Sequence, residues 1–153
     1  FVAALGAAIP VSDDLVDATD IALRFIPRDC AAASAVCFGR ELAGSPDPVD
    51  HLHAEYYVHT PVHTLNTLAL VVWAICSAGD DFSASIGNAV SAGWDTDCNG
   101  APVGGLFGLT GKPIPESWTR PWQGRVSVSL AGYSELPLDD LVDRTVAVAR
   151  TLQ

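Results

Sequence analysis

Apolar positions in this chain recur at helical spacing, and prolines, glycines and capping residues cut the pattern into short segments. Residues 1–9 read as the end of a helix closed at Pro10. Ser12 is placed to cap a second helix running through about Phe25. Leu15, Ala18, Ala22 and Phe25 share its apolar face, and Asp13 and Asp14 suit its positive N-terminal end. Ile26-Pro27 stops it. Asp29 then caps a third helix from Cys30 to about Ala43, which Gly44-Ser45-Pro46-Asp47-Pro48 breaks. Residues 49–63 are the least regular stretch. From Thr64 to Ala78 the pattern is apolar on all sides, as expected of a helix at the centre of a fold. Asp80-Asp81-Phe82-Ser83 forms a turn with a cap, and a short helix follows to Ala92, where Gly93 ends it.

Further on, Pro102 suits a first helical turn and so places the next helix start near residues 98–100. Gly100, Gly104 and Gly108 fall on one face of that helix. Each costs about 1 kcal/mol relative to alanine, and close approach of a neighbouring helix is the compensation. Residues 111–125 read as a loop holding Pro113, Pro115, Trp118, Pro121 and Trp122, both tryptophans packing against it. Val126 to Leu130 alternates briefly. A last amphipathic helix spans about Leu138 to Leu152, with Leu141, Val142, Thr145, Val148 and Leu152 on its apolar face. These elements predict an all-α fold, a compact multi-helix array in a single helical domain over residues 1–153.

Composition narrows the function classes. With 49% hydrophobic and 17% charged residues, the chain can bury a core and is not a disordered segment. No apolar run reaches the ~20 residues of a membrane span; the longest, within 65–78, is broken by Asn66, Thr67 and Ser77. A formal net charge of -10 repels phosphates and excludes a nucleic-acid backbone as partner. Cys30, Cys37, Cys76 and Cys98 form no CxxC pair. The first three lie in apolar helical patterns and read as small buried hydrophobes, so the thiols read as reduced and the protein as cytoplasmic. The chain opens within an apolar segment and has no methionine, and is therefore expected to be part of a longer protein.

The candidate chemistry lies in Gly93-Trp94-Asp95-Thr96-Asp97-Cys98-Asn99-Gly100-Ala101. Asp95 and Asp97 have no basic residue closer in sequence than Lys112 downstream and Arg40 upstream. Two adjacent anions need water, backbone N–H groups or a cation, and a hard divalent metal held by oxygen is a natural partner. Capping of the following helix is the alternative, although one side chain suffices for that. The flanking glycines admit a ligand closely, and a helix N-terminus suits an anion. His51/His53 and His59/His63 invite a zinc reading, but they are not at a zinc-site spacing and no cysteine pair accompanies them. Asp80-Asp81 and Asp139-Asp140 sit at helix starts and read as caps.

The Gly93–Ala101 string, with Gly104-Gly105 and Ile114-Pro115-Glu116-Ser117-Trp118 after it, resembles the ADP-ribosylglycohydrolase family. Val62-His63-Thr64-Leu65-Asn66, Asp81-Phe82 and the closing 138–145 segment extend the resemblance over essentially the whole chain, as the C-terminal portion of that fold. The resemblance implies an all-α enzyme with two Mg²⁺ ions, hydrolysing the glycosidic bond between ADP-ribose and an acceptor. It makes Asp95 and Asp97 metal ligands. It leaves the general base and the other acidic ligands to a missing N-terminal portion of the same fold, so that this chain alone is expected to be inactive. His63 and Asn66, at the entrance of the central helix, Trp94, with a ring suited to a base or sugar, and Gly100 are the candidate substrate-binding residues. Many members carry threonine or serine where this chain has Cys98, and a thiol is a poor Mg²⁺ ligand. That substitution also keeps open a catalytically inactive, binding or structural protein.

Overall fold

The computed structural model of the protein describes residues 1–152, which form two compact units, 1–113 and 114–152. In the first unit, α1 (Val2–Ala8) buries Leu5 and Ala8 and passes into a 3₁₀ turn at Ile9–Val11. Ser12 does not cap the second helix. Its hydroxyl donates to the Ala8 carbonyl at 2.8 Å and closes α1 instead. Asp14 caps α2 (Leu15–Leu23), accepting from the Asp17 amide at 2.8 Å, while the Asp17 carboxylate accepts from the Asp13 amide at 3.3 Å. This reciprocal arrangement satisfies two donors at the helix start. α2 ends before Phe25, which therefore leaves the expected apolar face and is 73% exposed.

The Cys30 thiol, not Asp29, takes the cap of α3 (Ala31–Glu41), accepting from the Ala33 amide at 3.4 Å. Cys37 is exposed, and Cys30 and Cys76 are only partly buried, against the expectation of three buried thiols. The stretch read as irregular contains α4 (Pro48–Glu55); Pro48 stands in its first turn, where proline suits the helix, and Leu52 is fully buried. α5 (Thr64–Ala78) has the predicted bounds and is the hub, packing against α2, α3, α4, α6 (Phe82–Ser91) and α7 (Thr96–Gly108). α3 comes so close to it that a side chain at Gly39 would overlap the Ala69 carbonyl. Asp81 caps α6 through the Ala84 amide at 3.0 Å, as expected, while Asp80 pairs with Lys112.

α7 starts at Thr96, ahead of the predicted 98–100, so Pro102 lies inside the helix rather than in its first turn. Gly100 and Gly104 do serve close approach: an added Cβ would meet Val90 at 3.3 Å and Ile86 at 3.5 Å, both on α6, whereas Gly108 faces open space.

In the second unit the expected loop contains α8 (Glu116–Thr119) and a 3₁₀ turn at Arg120–Trp122, with Trp122 52% exposed. β1 (Arg125–Ser127) and β2 (Glu135–Pro137) pair antiparallel, Val126 opposite Leu136. α9 (Leu138–Thr151) follows the predicted span. Asp139 and Asp140 lie in its first turn without capping it, and Leu141, Val142 and Val148 remain exposed. Among the described residues the fold is all-α apart from this short hairpin.

Candidate metal centre

The acidic loop joins α6 to α7 through two consecutive left-handed residues, Gly93 (φ 82°) and Trp94 (φ 58°). Glycine adopts this conformation freely; for tryptophan it costs about 1–2 kcal/mol, so neighbouring contacts must hold it. The His53 ring stacks on the Trp94 ring at 4.3 Å between centroids, and Tyr56 meets Trp94 edge-on at 6.5 Å. His53 Nε2 donates to the Ala92 carbonyl at 2.8 Å, satisfying an acceptor at the C-terminal end of α6. The fully buried Asn99 donates from Nδ2 to the Gly93 carbonyl at 3.3 Å.

This turn delivers Asp95 to the N-cap position of α7, where the Asn99 amide bonds its carbonyl at 2.9 Å. The Asp95 side chain makes no cap hydrogen bond, which removes the simplest alternative role for it. One ligand atom each from Asp95, Asp97 and Cys98 lies within 4.8 Å of the others; Asp95 is half-buried, and Asp97 and Cys98 are exposed. The ion pairs among the described residues, Arg40–Asp20, Lys112–Asp80 and Arg125–Glu135, leave this loop without a cation.

The electrostatics follow from that crowding. A hydrogen bond with the Asp95 carboxyl, then the backbone N–H groups of Asp97 and Cys98, hold the Asp97 carboxyl below its ordinary range. The hydrogen bond to Asp95, then the charges of Asp95 and Asp97, push the Cys98 thiol up. Two carboxyls so close share a proton or gather a cation. Cys98 stays a thiol near neutral pH, unsuited as nucleophile or as hard-metal ligand.

The carboxylates of Asp95 and Asp97 therefore fit a hard divalent cation, and the Cys98 thiol does not. Beside them opens a cavity of about 260 Å³, lined by Val2, Val62, Thr64, Thr67, Leu68, Val71, Asp95, Cys98 and Pro102. Thr64 and Thr67, which are not among the expected site residues, line the same cavity as Asp95. Their signal was spacing, two threonines one turn apart at the start of an otherwise apolar helix. A larger cavity of about 450 Å³, between Asp20, Arg24, Arg28 and Cys37, shares no residue with this site.

The residues expected to touch substrate are placed elsewhere than on that cavity wall. His63 caps α5, its Nδ1 accepting from the Leu65 amide at 3.3 Å, and its ring stacks on His59 at 3.9 Å. Asn66 is fully buried, donating to the Thr60 carbonyl at 3.3 Å. Trp94 packs on His53, and Gly100 on Val90. His51 bonds Ser45 at 3.1 Å, and no histidine belongs to the metal-capable cluster among the described residues.

A protein-family model described as ADP-ribosylglycohydrolase matches residues 1–151. Comparison with curated proteins and with solved structures returned no match.

Proposed function

This chain belongs to the ADP-ribosylglycohydrolase family, and from that premise we propose that it takes part in Mg²⁺-dependent hydrolysis of the glycosidic bond of ADP-ribosylated protein or a related ADP-ribosyl substrate. The observation that carries the metal reading is the convergence of the Asp95 and Asp97 carboxylates, with no basic partner and no cap hydrogen bond from Asp95. Asp95 and Asp97 are the residues that would hold the ion. When bound, Mg²⁺ supplies positive charge against substrate oxygens that gain negative charge as the bond breaks. Two carboxylates meet only part of an octahedral shell, so the remaining ligands come from water, substrate and residues outside this segment.

The chain's own residues orient the site. The left-handed turn aims Asp95, and the α5 start contributes Thr64 and Thr67 to the same cavity. Asp95 is the one carboxylate on that cavity's wall, and in this reading it serves the metal. The general base is therefore assigned to a segment outside residues 1–153, and this chain alone turns over little or no substrate.

A Mg²⁺ titration of the full-length protein, with Asp97→Asn as control, tests the metal assignment. Binding by the wild type and its loss in the variant is expected; equal affinity removes Asp97 from the site. Hydrolysis of an ADP-ribosylated arginine peptide tests the activity. Peptide binding without turnover by the full-length protein would favour the inactive binding protein that Cys98 keeps open.

A further inference from the structure

We infer that His53 is a positioning residue for the Asp95/Asp97 pair, locking the left-handed turn that aims both carboxylates. This rests on the metal reading above. Three observations carry it. Trp94 holds a conformation that tryptophan rarely adopts, directly before Asp95, so any change of its backbone angles swings the acidic turn as a body. His53 grips both sides of that turn, through its Nε2–H on the Ala92 carbonyl at 2.8 Å and its ring on Trp94 at 4.3 Å. Finally, His53 is itself exposed, while α4 is anchored in the core by Leu52 and Tyr56. Its two contacts therefore do little for the core and much for the loop.

The division of labour is specific. The Nε2–H satisfies a carbonyl that the end of α6 leaves without a helical partner. The ring covers one face of Trp94, and Tyr56 meets it edge-on. Tyr56 follows His53 by three residues, so α4 presents both to Trp94 from one side. Removing the imidazole frees Trp94 to relax toward negative φ, and Asp95 and Asp97 then lose their common aim.

The test is a Mn²⁺ titration of the full-length protein, read by the electron paramagnetic resonance of free Mn²⁺, alongside thermal melts without metal. His53→Ala is expected to weaken Mn²⁺ binding about 10-fold, the low end for residues that orient metal ligands, with little change in Tm. His53→Gln keeps a donor without the ring, and His53→Phe keeps a ring without the donor; each is expected to recover part of the lost affinity. A His53→Ala protein that binds Mn²⁺ as the wild type does, while Asp97→Asn does not, overturns the positioning role and leaves the metal site standing. Absence of Mn²⁺ binding by the wild type, or its persistence in Asp97→Asn, overturns the metal reading and the role of His53 with it.

Discussion

Cys76 shows how burial sets the chemistry of a single group. It sits on α5 with its sulfur 3.9 Å from the Thr19 hydroxyl, and burial pushes its thiol from 9.0 up to about 11. The folded state therefore disfavours the thiolate. The associated stability is complete below 9.0 and is lost as pH rises to about 11. That gap corresponds to about 3 kcal/mol across the window. Urea unfolding at both ends of it should show a steeper loss for the wild type than for Cys76→Ala; parallel losses would mean that the thiol titrates alike in the folded and unfolded chain. At the residue scale the sequence shows only part of the site. Asp95 and Asp97 stand out because like charges without a counter-charge are visible in one dimension. His53 does not, because its partners, Ala92 and Trp94, are about forty residues away and are brought to it only by packing.

At the scale of elements, the glycines of α3 and α7 separate close approach from open space. Gly39→Ala should destabilise the protein by about 3 kcal/mol, because the obstacle is the Ala69 backbone and cannot move aside. Gly100→Ala meets only a methyl group of Val90 at 3.3 Å and should be near neutral, with helix propensity offsetting the crowding. Gly108→Ala meets nothing and should stabilise by about 0.5–1 kcal/mol. Thermal melts of the three variants check that order. The caps offer a second comparison: Asp14→Ala should cost about 1 kcal/mol and Asp29→Ala almost nothing, since only Asp14 holds a helix N–H. α5 is legible to the residue, because a mostly apolar run between His63 and Gly79 leaves no alternative boundary. α4 is not, because its proline start and polar, histidine-rich sequence resemble a loop until Leu52 and Tyr56 are seen in the core. The start of α7 is not legible, because a proline seven residues into a helix mimics one in the first turn.

Over the whole molecule, burial is unevenly shared between the two units. Among the described residues the first holds every buried one, centred on α5, whereas none is buried from 114 to 152. Residues 1–113 expressed alone should melt cooperatively, and residues 114–153 alone should show little helix by circular dichroism. A cooperative transition in the shorter piece would contradict this reading. Hydrogen exchange should draw the same map in finer grain. Amides of α5 should exchange slowest, through global unfolding. α7 should be divided, because Pro102 has no N–H to donate to the Cys98 carbonyl, so one rung joining its first turn to the rest is missing. The first turn of α7 is thus joined by one rung fewer to a segment whose Val103, Leu106 and Phe107 stay locked in the core, and its amides should exchange ahead of theirs.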